Sequence, residues 1–314
     1  MRNRTTRSSA QARLPRFHVE RKIDTEADLP PEQHEKLRWA EELLRLPEVW
    51  TQARGAGVRV AILDTGVDRD HPDLEGAIVA TKDFTGQGIR DVNGHGTHCA
   101  GIIGARANSI GFIGVAPEAS LMIGKVLADD GTGDLAWIAA GVKWAASNGA
   151  DIISMSLGAE DDSPLLYRAI HRALADERIV VCAAGNAGSI FADNIGFPGR
   201  YGSVITVASH DSDGHPSGFS SRGGSVDFMA PGQEIWSTWP AGGYAQLSGT
   251  SMATPFVAGL AALILSKHRQ PITHGSPIVT NEDMRAHLMR MAAHPGWHDP
   301  ARGYGPLLPF AYFT

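Results

Sequence analysis

Gly249-Thr250-Ser251-Met252-Ala253-Thr254-Pro255 hands a turn of small residues over to an apolar run, Phe256 to Ser266, that meets no charge before Lys267. Pro255 suits a helix only in its first turn, where its missing N–H has no partner to lose. Val257, Ala258, Leu260, Ala261, Ala262, Leu263, Ile264 and Leu265 leave no polar face, so the run predicts a helix buried on all sides. Its shortness and its Gly/Pro punctuation argue against a bilayer span. A helix start offers unpaired N–H groups and partial positive charge, which would favour an oxyanion beside Ser251. Taken alone, Ser251 or Thr250 reads as an N-cap. A nucleophilic serine also needs a base, and the base a carboxylate to orient it. The rest of the chain must supply both.

The chain has 314 residues, 43% hydrophobic, with 36 glycines, enough for one large globular domain or two small ones. Charged residues make up 20% and the formal net charge is -6, which gives no basic footprint for nucleic acid. Cys99 and Cys182 each sit inside an apolar run and are expected as buried free thiols in a reducing compartment. No window is expected to form a transmembrane helix. The first 22 residues carry seven Lys/Arg against one acid, Glu20, with no apolar segment of a secretory signal. Such a start reads as a transit peptide or, more plainly, as a disordered basic tail.

Outward from Ser251, the chain alternates short apolar runs with helical patterns. After Pro30-Pro31, Glu32 to Leu46 reads as an amphipathic helix with Leu37, Ala40, Leu43 and Leu44 on one side. Strands are expected at 58–63, 120–126, 151–156, 179–184 and 204–208, and helices at 136–148, closed by Gly149, and 163–177. Fully apolar strands alternating with helices predict an α/β fold, a three-layer α/β/α sandwich with a mainly parallel central sheet. Chemistry in such sheets sits beyond the carboxyl ends of the strands. Asp64, Ser156 and Asn186 all fall there.

Asp64 closes a strand in Ala61-Ile-Leu-Asp-Thr-Gly66, where a turn or cap role is its plain reading. His95 and His98 lie in Asn93-Gly-His-Gly-Thr-His-Cys-Ala-Gly101. Two histidines invite a metal, but zinc would want further ligands in a recognisable spacing, and none is present. The glycines leave the His95 ring room to reach a neighbour, while His98 reads as a hydrogen-bonded core residue. Asn186, in Cys182-Ala-Ala-Gly-Asn186, offers an amide that can donate to an oxyanion, or serves as a turn residue.

Together these motifs resemble those of the subtilisin-like serine proteases, the subtilase family, from about Leu46 to the C-terminus. Ala61–Gly66 resembles the family's Asp motif, His95–Gly101 its His motif and Gly249–Pro255 its Ser motif. The resemblance implies Ser251 as nucleophile, His95 as general base and then acid, Asp64 as the orienting carboxylate, and Asn186 with the Ser251 N–H as the oxyanion hole. It implies substrate strands at Ser156-Leu157-Gly158 and Gly131-Thr132-Gly133, with Ala184 and Gly185 lining the cleft and Gly196 on the floor of the first specificity pocket. A glycine there predicts a preference for large apolar P1 residues within an otherwise broad specificity.

The resemblance further implies structural Ca2+, held by Asp73, the Asn108 side chain and the carbonyls of Arg106, Ile110 and Phe112; oxygen-only ligation suits that ion. Cys99 matches a position where some family members carry a thiol under the catalytic histidine, which implies sensitivity to mercurials. Residues 1–45 are then an N-terminal extension, too short for the folding prodomain of secreted relatives, and 46–314 the catalytic domain. The segments 151–158 and 180–186 look closest to the intracellular members, which implies a cytoplasmic enzyme, with Leu14-Pro-Arg-Phe17 blocking the cleft until trimmed. Expected partners are polypeptide substrates, without nucleic acid or membrane, acting on a monomer or homodimer. A silent peptide-binding protein and a small-molecule esterase or amidase are the alternatives, and a metallohydrolase a more distant one.

Overall fold

The computed structural model describes residues 16–18, 22–27, 39–188, 193–270 and 278–313. Two short strands, β1 (Arg16–His18) and β2 (Lys22–Ala27), precede helices α1 (Trp39–Leu43) and α2 (Leu46–Val49). The body runs β3 (Arg59–Asp64), β4 (Ile78–Asp83), α3 (His95–Gly104), β5 (Ser120–Lys125), β6 (Thr132–Asp134) and α4 (Leu135–Ser147). It continues with β7 (Ile152–Met155), α5 (Pro164–Ala175), β8 (Ile179–Ala183) and β9 (Ile205–His210). Strands β10 (Phe228–Pro231), β11 (Ile235–Trp239) and β12 (Gly243–Ser248) lead into α6 (Thr250–His268), α7 (Asn281–Met289) and α8 (Phe310–Phe313).

Seven strands form one parallel sheet in the order β10-β9-β8-β7-β3-β5-β4. Successive side chains on a strand point to opposite faces, so a strand apolar throughout must be covered twice. In β3, Val60 and Ile62 join the core shared with α3 and α6, whereas Ala61 and Leu63 join the core shared with α4 and α5. The expected three-layer sandwich is therefore present, and β3, β5, β7, β8 and β9 lie within two residues of their expected bounds. α5 starts on Ser163, whose hydroxyl accepts from the N–H groups of Leu165 and Leu166 at 3.2 and 3.4 Å.

Two expectations need correction. The apolar run behind Ser251 continues to His268 as a helix of 19 residues, long and apolar enough by length and composition to cross a membrane. Its shortness therefore does not exclude a span; 94% of its most apolar window is buried inside the protein, which makes it the central core helix. The amphipathic helix expected over 32–46 lies outside the described residues up to 38. Beyond that it ends at Leu43, where Arg45 takes a left-handed φ of 52° before α2 begins. Ala40 and Leu44 are buried as expected, but Leu43 is 38% exposed because the break turns it away from the core. The tail through 15, Pro30-Pro31 and Leu37 also fall outside the described residues.

Candidate active site

Asp64 is the last residue of β3, and His95 the first of α3. Two glycines bring these ends together. Gly66 takes φ 110° in the turn after Asp64, and a Cβ on Gly96 would run into the Gly66 carbonyl oxygen. His95 Nδ1 lies 2.7 Å from Asp64 Oδ1, and both side chains are fully buried. The Thr65 N–H also donates to that oxygen at 2.7 Å, which fixes the carboxylate against its own strand end. An Nδ1 that donates to a carboxylate leaves Nε2 as the acceptor nitrogen, a tautomer assigned from the bonding pattern. Nε2 has no hydrogen-bond partner among the described residues.

Ser251 sits in the first turn of α6, almost wholly buried. Its Oγ donates to the Ser156 carbonyl at 3.2 Å, and Ser156 Oγ donates back to the Ser251 carbonyl at 2.9 Å. The hydroxyl is thus parked against the end of β7 and not on His95. Catalytic hydrogen bonds commonly form or tighten only when substrate is bound. Asn186 Oδ1 accepts from the Thr250 N–H at 2.9 Å and its hydroxyl at 3.0 Å, so the amide nitrogen is the group turned away from Thr250. The Thr250 hydroxyl also accepts from Gly185 N–H at 3.1 Å, tying the loop after β8 to the start of α6.

A cavity of about 130 Å³ opens beside Ser251, lined by Ser156, Leu157, Gly158, Ala184, Gly185, Asn186 and Gly196 among others. Gly196 donates its N–H to the Ala184 carbonyl at 3.1 Å, and a Cβ on it would meet Ala159 O at 3.3 Å. Gly131, Thr132 and Gly133 lie across from Gly158, and the chain's own β1 runs between them. Phe17 is in register with Gly133 and His18 with Thr132, antiparallel. On the other side His18 N donates to Gly158 O at 3.3 Å and accepts from Gly158 N–H at 3.4 Å through its carbonyl. Phe17 is fully buried in the cluster containing Leu127, Leu135, Ile138 and Leu157. Leu14 and Pro15 lie outside the described residues.

Several residues that hold this site escaped sequence reading. Asp91 is a fully buried loop carboxylate: Oδ1 accepts from Thr65 Oγ1 and Gly94 N–H, and Oδ2 from the N–H and Oγ1 of Thr97. Lys125, also fully buried, donates to Thr65 O, Arg90 O and Asp129 Oδ1 at 2.8, 3.0 and 2.6 Å. A lysine ending an apolar strand was its available signal. His98 is the core residue expected, its Nε2 3.0 Å from Ile235 O and 3.1 Å from Ala245 O. Cys99 and Cys182 are buried and free. Burial, and after it the Asp64 charge, push the Cys99 thiol well up, so it stays neutral.

Of the residues expected to hold calcium, Asp73 and Asn108 meet through their side chains, and Arg106, Ile110 and Phe112 approach them through their N–H groups. Asp73 Oδ2 accepts from Phe112 N–H at 2.8 Å and Tyr244 OH at 3.0 Å, and Oδ1 from Asn108 Nδ2 at 3.3 Å. Asn108 Oδ1 accepts from Ile110 N–H at 3.0 Å, and Arg106 N–H donates to the Asp73 carbonyl at 2.7 Å. Oxygen-only ligation would need the carbonyls of Arg106, Ile110 and Phe112 beside this carboxylate; here those residues meet Asp73 and Asn108 through their N–H groups, and the Arg106 carbonyl accepts from the Asn108 N–H at 3.0 Å. In this arrangement Asn108 turns its nitrogen, not its oxygen, to Asp73.

An imidazole oriented by a buried carboxylate, with its other nitrogen unpartnered among the described residues, and a serine at a helix start are the parts a serine hydrolase uses. A cleft between two strands that already accommodates extended backbone makes peptides its natural cargo. The subtilase family model matches residues 55–305, and the chain belongs to that family: it is a subtilisin-family serine endopeptidase. An intracellular serine protease from Paenibacillus polymyxa is 49% identical over 231 residues, 71% of this chain and 71% of its own length. Subtilisin DY from Bacillus licheniformis is 46% identical over 230 residues, 72% of this chain and 83% of the relative. Thermitase from Thermoactinomyces vulgaris is 45% identical over 229 residues, 72% of this chain and 81% of the relative.

Proposed function

We propose that Ser251, His95, Asp64 and Asn186 carry the peptide-bond hydrolysis of this endopeptidase. Ser251 Oγ attacks the scissile carbonyl carbon while His95 Nε2 takes its proton. Asp64 holds Nδ1–H and stabilises the imidazolium that results. The oxygen, now an anion, is met by the Asn186 amide and the Ser251 N–H; losing one such donor costs on the order of 10²–10³ in kcat in a subtilisin. Collapse breaks the C–N bond, His95 returns the proton to the leaving amine, and water repeats the cycle on the acyl-enzyme. The observation that carries this reading is the 2.7 Å Asp64–His95 contact with Nε2 left as the acceptor.

The cleft is read as taking extended polypeptide by main-chain pairing with 131–133 and 156–158, with broad specificity and a deep first pocket over Gly196. Peptide libraries should show cleavage after Phe, Tyr, Leu or Met; cleavage confined to sites after Lys/Arg or small residues would refute the pocket reading. Residues 1–45 are an extension to a catalytic domain at 46–314, and the segment ending in Phe17-His18 blocks the cleft until it is trimmed. Deleting residues 1–22 should raise initial activity. Asp73, Asn108 and the carbonyls of Arg106, Ile110 and Phe112 would hold Ca2+, which would supply stability and no catalytic step. Likeness to a relative named as intracellular supports a cytoplasmic setting. The enzyme is taken to act as a monomer or homodimer, without a nucleic-acid or membrane partner.

The test compares wild type with Ser251→Ala on unfolded casein, following casein cleavage and the mass of the protein's own N-terminus. Wild type should cleave and trim itself while the variant stays full length. Binding of casein by both, with cleavage by neither, would make the cleft a receptor and end the proposal.

A further inference from the structure

Lys125 ends β5 with its backbone in register with Asp64 of β3, and its side chain is fully buried. An ammonium has three N–H donors, and here three acceptors take them: the Thr65 carbonyl at 2.8 Å, the Arg90 carbonyl at 3.0 Å and Asp129 Oδ1 at 2.6 Å. Thr65 follows Asp64, Arg90 precedes the buried Asp91, and Asp129 lies in the turn that leads to Gly131-Thr132-Gly133. The main chain makes the same connection. The Val126 and Leu127 N–H groups both donate to the Asp64 carbonyl, at 2.9 and 3.1 Å, and the Ala128 N–H donates to the Thr132 carbonyl at 2.7 Å. The turn is pinned from outside as well, since the Asp129 N–H donates to Gln87 Oε1 at 2.8 Å and its carbonyl accepts from Asn93 Nδ2 at 3.3 Å. A buried ion pair stabilises poorly compared with apolar packing, so what distinguishes this one is which segments it joins.

We propose that Lys125 is a positioning residue that couples the acyl-side substrate edge to the triad. Peptide paired along 131–133 draws on the Asp129–Lys125–Thr65 link to hold Asp64, and through it His95, in the geometry of attack. This rests on the reading of 131–133 as a substrate strand. The edge accepts an antiparallel strand, as its pairing with Arg16–His18 shows. The Asp129 end of the link is 37% exposed and the Lys125 end fully buried, so the turn can adjust against a fixed ammonium. Binding energy from substrate residues remote from the cut appears in kcat only where it reaches the reacting groups. Lys125 supplies such a path. Lengthening a substrate on its acyl side should therefore raise kcat and not merely lower KM, and that gain should depend on Asp129 and Lys125.

The experiment uses the full chain as wild type, Asp129→Ala, Asp129→Asn and Lys125→Met, all brought to the same N-terminal mass before assay. Two p-nitroanilides of phenylalanine are compared, one acylated by acetyl alone and one by an acetylated tripeptide. Asp129→Ala should shrink the kcat gain of the long substrate over the short one by about tenfold, with the KM ratio nearly unchanged. Asp129→Asn keeps an acceptor oxygen for Nζ and should retain most of the gain. Lys125→Met should lose the gain and also slow the short substrate, because it releases Thr65 and Arg90 as well; should it fail to fold, the two Asp129 variants decide alone. A full kcat gain in Asp129→Ala, a loss confined to KM, or a lowered Tm with the gain intact would each overturn the proposal. Failure of the substrate-strand reading looks different: wild type itself would gain nothing from the longer acyl side in either kcat or KM.

Discussion

Thr65 and Asp91 meet through a 2.9 Å hydrogen bond from the Thr65 hydroxyl to Asp91 Oδ1, joining the residue after Asp64 to the loop before α3. The same hydroxyl accepts from the Gly96 N–H at 2.9 Å, one residue beyond His95. Asp91 also binds Thr97 through both its N–H and its hydroxyl at 2.8 and 2.7 Å. One buried carboxylate thus sets the spacing between the strand end that carries Asp64 and the helix start that carries His95. It is fully buried and spent on Thr65, Gly94 and Thr97, so its role is to position.

Asp91→Asn should lower kcat with KM nearly unchanged. The substitution turns one acceptor oxygen into a donor facing N–H and O–H donors, and displacement of a catalytic group by an ångström costs about 100-fold. A loss of roughly 10- to 100-fold in kcat is expected, with the far-downfield proton resonance of the Asp64–His95 bond shifted or broadened. Thr65→Val should act in the same direction but more weakly. An Asp91→Asn enzyme with normal kcat and an unmoved resonance would remove Asp91 from the mechanism.

Cys99 separates two thiol reagents. Its sulfur lies 3.8 Å from His95 Nδ1 and 3.6 Å from the Ser251 carbonyl, behind the reacting groups. Since burial and the neighbouring Asp64 charge hold the thiol neutral, iodoacetamide near pH 8 should leave activity intact. Mercuric ion, which displaces the thiol proton and is bulky beside both His95 and Ser251, should inactivate. Cys99→Ala should resist mercury while keeping most activity. Equal mercury sensitivity in that variant would place the damage elsewhere.

Calcium is tested through stability. With Ca2+ at about 100 times its Kd, binding to the native state alone contributes about 2.7 kcal/mol. At roughly 2–4 °C per kcal/mol for domains of 150–250 residues, chelation should lower Tm by about 5–10 °C. Asp73→Ala should abolish the difference between chelated and calcium-supplemented protein, because it removes the one carboxylate of the set. A Tm unaffected by chelator, or a shift retained in Asp73→Ala, would rule out this site.

The sequence made some of this legible for physical reasons. Strands β3 and β8 are apolar on both faces, and that pattern has few solutions other than a doubly covered parallel sheet. The three motifs pointed to Asp64, His95 and Ser251, which the fold places at a strand end and two helix starts. β4 was missed because Ile78–Asp83 lies at the sheet edge, half exposed, and its apolar run is only Ala77 to Ala80 before Thr81, Lys82 and Asp83 follow. α3 was read as a motif and not a helix because glycines fill so much of His95–Gly104 and lower its helical propensity. α7 did carry a signal, the reciprocal Thr280/Asp283 capping box. Asp91 carried none: a loop aspartate becomes a tie only when the fold brings Thr65 and Thr97 to it.

Acid stability should depend on a second cluster, where α6, α7 and α8 meet. His287 Nδ1 and His268 Nε2 lie 2.7 and 3.1 Å from the Tyr312 hydroxyl, and Lys267, Arg290 and Asp283 are the charged groups around them. Burial first, then the charges of Arg290 and Lys267, hold His268 below the ordinary 6.5; burial, then the His268 imidazole and Arg290, do the same for His287, where Asp283 opposes it weakly. Between those depressed values and 6.5 the unfolded chain binds more protons than the folded one, so stability present above pH 6.5 is lost as pH falls through the window. Tm should therefore decline from pH 7 to pH 5. His268→Gln/His287→Gln should flatten that decline, leaving the part owed to His210, which burial also depresses. Thermal scans at constant ionic strength decide it: a double variant whose Tm falls as steeply as wild type would show that these imidazoles do not set the acid limit.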